Sequence, residues 1–263
     1  MRPLIHFVHA NGLPAACYRP LFDALADGAD VAAPPLIGMN PAYPVDNHWA
    51  SLSREVADSI HTLGQGRPVI AVGHSMGAIL SLLAARLQPQ GIRQVIMLEP
   101  PLILGKEMWA VQAAKRFSPR LLDKLTPAGL AARRRDRWES RAAAAAALRT
   151  RGFFKELDAA CFDAYIRHGL VEHPEGGVTL AIPKAQEAAI FRNLPSRWQR
   201  RHADLPVPVH LVAGADSYFS HKQFPQKARR KLGIPYSIVP GSHMFPLADP
   251  QATAAYIKTL IHN

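Results

Sequence analysis

Cysteine is nearly absent from this chain: its 263 residues hold two, Cys17 and Cys161. They lie far apart and without metal-ligand spacing, which argues against a disulfide or zinc framework and fits a reducing compartment. Acidic residues are in deficit, with 20 Asp and Glu against 31 Lys and Arg and a formal charge of +11. No apolar run is long enough, and free enough of charge, to span a bilayer. Internal repeats and low-complexity linkers are lacking too, which excludes repeat arrays. A cleavable leader is not expected, because Leu4-Ile5-His6-Phe7-Val8 reads as a core strand directly before a functional loop. These absences point to a cytoplasmic globular protein rather than a secreted disulfide scaffold or a membrane-spanning one.

The basic excess is concentrated. Arginine makes up 22 of the 31 basic residues, and the span 101–204 holds 19 basic against 11 acidic residues. Its densest piece is Arg133-Arg134-Arg135-Asp136-Arg137. Nucleic acid, an anionic membrane surface or an acidic substrate would each suit such a run. No aromatic interleaving and no nucleic-acid motif accompanies it, so it reads as a solvated helix face, and no nucleic-acid partner is expected.

What the chain does contain is a strand, a tight turn and a helix in Val69-Ile70-Ala71-Val72-Gly73-His74-Ser75-Met76-Gly77-Ala78-Ile79-Leu80. Four apolar residues run into a G-x-S-x-G pentapeptide, and a small-residue, leucine-rich helical pattern follows. A serine hydroxyl is a poor nucleophile and must be held where a base can reach it, which a sharp strand-to-helix turn does. Gly73 and Gly77 fit places where strand and helix backbones approach too closely for a Cβ. The turn also aims the Met76 backbone N–H toward a developing oxyanion.

Along the chain, the first strand leads into His9-Ala10-Asn11-Gly12-Leu13-Pro14 and then a helical Tyr18 to Leu25. That loop is the expected source of a second oxyanion donor. The Asn11 backbone N–H is the leading candidate, Ala10 and Leu13 are alternatives, and His9 reads as a loop-bracing histidine. A strand near Asp30 to Ala33, a proline-rich loop from Pro34 to Pro44 and a helix from about Trp49 to Leu63 precede the elbow. Val95-Ile96-Met97-Leu98 follows it and ends at Glu99. Alternating strands and helices imply a parallel sheet.

From residue 101 to 205 helical patterns dominate, with Val178 to Ile182 the one strand-like piece, so this span reads as a cap over a core made of 1–100 and 206–263. Its aromatics Trp109, Phe117, Trp138, Phe153, Phe154, Phe162, Tyr165 and Phe191 could line an acyl pocket, or simply core. The sheet pattern resumes at Val207 to Ala213, followed by Gly214-Ala215-Asp216-Ser217. A helix near Lys222 to Leu232, a strand Tyr236 to Val239, the loop Gly241-Ser242-His243-Met244-Phe245-Pro246 and a last helix from Pro250 to Ile261 close the pattern.

Ser75, Asp216 and His243 all fall at carboxyl ends of strands, where open parallel sheets carry their functional groups. His243 is the candidate base, with His210 and His221 as structural neighbours, and Asp216 is the candidate orienting acid. Glu99 also ends a strand and could reach the same imidazole. The elbow, the His9–Pro14 loop, Gly214-x-Asp216 and the Gly241–Pro246 ending together resemble the α/β-hydrolase superfamily over nearly the whole chain. The resemblance implies the α/β-hydrolase fold, and the strand patterns counted above predict a shortened, mainly parallel sheet of about six strands flanked by helices. It also implies Ser75 as nucleophile, His243 as base, Asp216 as acid and the Met76 and Asn11 N–H groups as oxyanion hole, without metal or organic cofactor. The sequence departs from the family in its early His-Ala-Asn-Gly, and the family's usual leading hairpin is not expected before the first strand.

The function expected from these residues is hydrolysis of a small or medium carboxylic ester through an acyl-enzyme. A thioesterase, lactonase, carbon–carbon bond hydrolase or acyltransferase would use the same triad, and a non-catalytic binding member of the fold is the alternative of another class.

Overall fold

A computed structural model describes residues 2–198, 205 and 207–261. In chain order the elements are β1 (Leu4–Val8), α1 (Arg19–Leu25), β2 (Asp30–Ala32), α2 (Ala50–Gly64), β3 (Val69–His74), α3 (Met76–Leu87) and β4 (Ile92–Leu98). They continue with α4 (Lys106–Phe117), α5 (Pro119–Leu125), α6 (Ala128–Arg133), β5 (Arg137–Trp138), α7 (Arg141–Leu148), α8 (Ala159–His168), β6 (Leu170–Glu172), β7 (Val178–Leu180) and α9 (Lys184–Arg192). Last come β8 (Val209–Gly214), α10 (Tyr218–His221), α11 (Phe224–Leu232), β9 (Tyr236–Val239), α12 (Phe245–Ala248) and α13 (Pro250–Ile261).

Six strands form one parallel sheet in the order β2-β1-β3-β4-β8-β9. Its central strands are apolar on both faces because helices cover both. Side chains alternate between faces with period two, so each strand feeds two cores. Val69, Ala71, Val95, Met97, Leu211 and Ala213 pack on one side, where α2, α3 and α11 contribute Val56, Leu80 and Ala228. Ile70, Val72, Ile96, Leu98 and Val212 pack on the other, against Leu21 and Leu25 of α1 and Ile257 of α13.

Between β4 and β8 the helices expected from the sequence are joined by a second sheet, β5-β7-β6, antiparallel throughout. Val178–Leu180 is therefore not alone: Arg137–Trp138 and Leu170–Glu172 pair with it. Two- and three-residue strands are too short to show a period of two, and only their partners define them. The sequence boundary at 205/206 falls beside residues 199–204 and 206, which lie outside the described residues.

Several of the aromatics read as pocket candidates are packed instead. Phe154 meets Phe153, Phe162 and Tyr165 at ring-centroid distances of 4.2, 6.2 and 4.7 Å. Trp109 and Phe117 point to solvent, 66% and 79% exposed. Cys17 and Cys161 are free, buried thiols.

Candidate active site

The elbow is built as its glycines require. Ser75 adopts φ 54° and ψ −115°, a strained conformation for a residue with a Cβ, and its N–H donates to the Leu98 carbonyl at 2.8 Å. A Cβ at Gly73 would lie 2.2 Å from the Gly77 carbonyl carbon, and one at Gly77 would lie 2.1 Å from the Val8 oxygen. Strand, turn and helix thus touch through backbone, and the end of β1 is pressed against the start of α3. That contact brings the loop carrying Asn11 beside the loop carrying Ser75.

His243 follows β9 and reaches back across the strand ends. Its Nε2 lies 3.1 Å from Ser75 Oγ and its Nδ1 lies 3.1 Å from Glu99 Oε2. With the carboxylate accepting, the ring proton sits on Nδ1 and the Nε2 lone pair faces the serine hydroxyl. Glu99 is fully buried and has φ 50°, a left-handed turn that ends β4 and directs the side chain along the sheet edge. Its Oε1 accepts from the Gly214 N–H at 2.6 Å. Glu99 shares the lining of one small, mostly apolar pocket with Pro100, Leu102, Leu211, Ala213, Phe219 and Phe224. An apolar wall weakens screening and strengthens the pairing with His243.

Asp216 does not occupy this place. Its side chain is exposed, and its backbone N–H donates to Gly241 O at 3.0 Å, so the residue serves the turn that joins the ends of β8 and β9. The physical reason lies in strand order. β4 stands directly beside β3, so the residue ending β4 lies next to Ser75, and Glu99 takes the imidazole before a side chain from β8 can. The structure thus sets Glu99, and not the expected Asp216, against the His243 ring. His210 bonds Ser237 Oγ at 2.9 Å, and His221 ends α10.

Of the three candidate donors in the early loop, two are engaged. Ala10 N–H donates to Tyr18 Oη at 3.2 Å and Leu13 N–H donates to Ala10 O at 3.1 Å. No acceptor is recorded among the described residues for the backbone N–H of Asn11 or of Met76. The Asn11 side chain donates to the Glu187 carbonyl of α9 at 3.0 Å, which holds α9 to this loop. Arg134 then bonds the Glu187 carboxylate at 2.8 Å and Tyr165 Oη at 3.1 Å.

A buried relay lies behind the site, and the sequence did not announce it. Tyr18 Oη lies 2.7 Å from His74 Nδ1, and His74 Nε2 lies 2.9 Å from the His243 carbonyl oxygen. A carbonyl only accepts, so Nε2 carries the proton and Nδ1 accepts from the tyrosine hydroxyl. The chain Ala10 N–H to Tyr18 to His74 to His243 therefore links the early loop to the histidine loop. Burial is the main cause holding His74 down to about 3, with the neighbouring His243 adding to it. His9 is also buried and held at about 4; its ring accepts from Ile37 N–H at 2.8 Å and contacts Ala10 O at 2.9 Å, a loop brace. A tyrosine inside an early helical pattern carries no signal of such a role; only the fold brings it to the elbow.

A strand-ordered parallel sheet with a serine elbow and a histidine–carboxylate pair at its carboxyl edge is the architecture of an α/β hydrolase. Residues 7–256 match the Alpha/beta hydrolase family, and the chain belongs to it. It is 25% identical over 266 residues to a 2-(acetamidomethylene)succinate hydrolase of Mesorhizobium japonicum, covering 98% of this chain and 88% of that one. It is 26% identical over 247 residues to Lipase LipV of Mycobacterium tuberculosis, covering 87% and 82%. The crystal structure of an E-2-(acetamidomethylene)succinate hydrolase superimposes with a TM-score of 0.76 at 24% identity, covering 100% of this chain and 92% of that one. No helix among the described residues is long and apolar enough to cross a membrane.

Proposed function

We propose that this protein is a serine hydrolase acting on small or medium carboxylic esters, with Ser75 as nucleophile, His243 as general base and Glu99 as the orienting acid. The observation that carries the reading is the paired 3.1 Å contact of His243 with Ser75 Oγ on one ring nitrogen and Glu99 Oε2 on the other. Family membership and relatives named as a hydrolase and a lipase support it.

In the proposed reaction the Ser75 oxygen attacks the ester carbonyl while its proton passes to His243 Nε2. The oxyanion is held by the Met76 and Asn11 N–H groups; loss of one such donor costs about 10²–10³ in rate elsewhere. Collapse breaks the ester C–O bond, and His243 returns the proton to the leaving alkoxide. Water then attacks the acyl-serine, giving a proton to His243, and collapse breaks the bond to Ser75 Oγ as His243 returns that proton to it, releasing the acid and restoring the free serine. The span 101–205 is proposed as the cap, with α9 held over the Asn11 loop by the Asn11–Glu187 bond.

A panel of activated esters of increasing acyl length, run on the parent and on Ser75→Ala with a fluorophosphonate label, tests the reading. Turnover and labelling by the parent alone support it, and the preferred length measures the acyl pocket. Labelling without ester turnover would move the substrate to a thioester, lactone or carbon–carbon bond. Neither labelling nor turnover would leave a non-catalytic member of the fold.

A further inference from the structure

Three consecutive helices, α4 to α6, turn apolar side chains outward. A surface helix of a globular protein normally shows solvent its polar face. On α4 the exposed set is Trp109, Ala110, Ala113, Arg116 and Phe117, spaced as one helical stripe, while Val111 and Ala114 face the core. Leu121 and Leu125 of α5 and Leu130 of α6, the last 72% exposed, add further exposed apolar side chains on the helices packed next in turn. Large apolar groups gathered on neighbouring elements mark an interaction site more often than scattered ones do.

The exposed charges left without a salt bridge on the same helices are of one sign. Lys106, Arg116, Arg120, Lys124 and Arg133 are exposed and have no salt bridge among the described residues. The acidic members are already paired: Glu107 with Lys227 of α11 at 3.5 Å, and Asp123 with Arg192 of α9 at 2.8 Å. The surface is therefore apolar and cationic, without free carboxylates among its described residues.

We propose that α4 to α6 form a docking face for an anionic lipid surface, with Trp109, Phe117 and Leu130 entering the acyl boundary and the cations meeting the headgroup phosphates. A self-complementary dimer fits less well, because a two-fold interface would set these five cations against their own copies. A nucleic acid would use the charge and leave the leucines in water. The inference stands independently of the chemistry at Ser75.

The test uses the whole protein with extruded vesicles of phosphatidylcholine, alone or mixed equally with phosphatidylglycerol, read by co-flotation and tryptophan emission. Binding is expected on the anionic vesicles, with a blue shift, and should weaken as salt rises. Phe117→Ser with Leu130→Ser should cut binding roughly tenfold or more, since each side chain gives up its share of apolar burial. Arg116→Glu with Arg120→Glu should abolish the preference for phosphatidylglycerol. Trp109→Phe should keep the binding and lose most of the blue shift. All three variants should retain parental circular dichroism, because these side chains are exposed. No binding to the anionic vesicles at low salt would overturn the proposal. So would binding unchanged by the Phe117/Leu130 pair, or sedimentation showing a parent dimer that this pair converts to monomer.

Discussion

Exchanging Glu99 for Gln keeps the side-chain shape and removes the acceptor that the histidine needs. Glu99 serves two donors at once, the Gly214 N–H at 2.6 Å and the His243 ring at 3.1 Å. Glutamine has one oxygen for two donors. If that oxygen keeps Gly214, its amide faces His243 Nδ1 and forces the ring proton onto Nε2, where it points at Ser75 and removes the base. If the oxygen keeps His243, the amide N–H group is pushed against the Gly214 N–H in a buried site, at a cost of about 1–3 kcal/mol in stability. The first arrangement resembles the wrong-tautomer case of serine proteases, where the loss is about 10⁴ in kcat. That loss corresponds to about 5 kcal/mol of transition-state stabilisation. The assay is kcat on the preferred activated ester for the parent, Glu99→Gln and Asp216→Asn, with urea midpoints beside it. Asp216→Asn should remain within a few-fold of the parent, because its side chain is exposed. A large loss in Asp216→Asn with near-parental Glu99→Gln would refute the assignment.

The buried relay gives a second expectation. Tyr18→Phe leaves the Ala10 N–H and His74 Nδ1 without partners in a fully buried place, so stability should fall by about 2–4 kcal/mol. If the relay positions the histidine loop, kcat should fall more than KM rises. Gly77→Ala places a Cβ 2.1 Å from the Val8 oxygen, so soluble yield or fluorophosphonate labelling of Ser75 should be lost; full labelling would show that the elbow tolerates a side chain there. Acid stability follows from three buried histidines. Burial, the largest cause at each, holds His6 and His9 at about 4 and His74 at about 3, below the ordinary 6.5. The unfolded chain takes up protons that the native state refuses, so stability is whole above about 6.5 and is lost as pH falls toward 4. Each histidine should steepen that loss by about 1 kcal/mol per pH unit. A urea midpoint flat over this interval would contradict the burial of these rings.

Much of this protein was legible in its sequence because the signals are local. Continuous apolar runs mark strands buried on both faces, and Val69–Val72 of β3 and Val95–Leu98 of β4 are such runs. The glycines at 73 and 77 are read from spacing alone, since only a residue without Cβ permits the backbone contact seen there. His243 stands out by its loop after the penultimate helix and strand. The parallel six-strand sheet follows from strand and helix alternation.

The rest depended on which parts of the chain become neighbours. Glu99 and Asp216 both end strands, and no local feature separates them; the choice was made by β4 lying beside β3, which sets a buried carboxylate at the imidazole and leaves Asp216 in water. Arg137–Trp138 and Leu170–Glu172 become strands only because Val178–Leu180 lies between them. Trp109 and Phe117 carry the same apolar surface as any core aromatic, and only the packing of α4 through Val111 and Ala114 turns them outward. A sequence sets what each residue can do; which partner stands within 3 Å is a property of the assembled sheet.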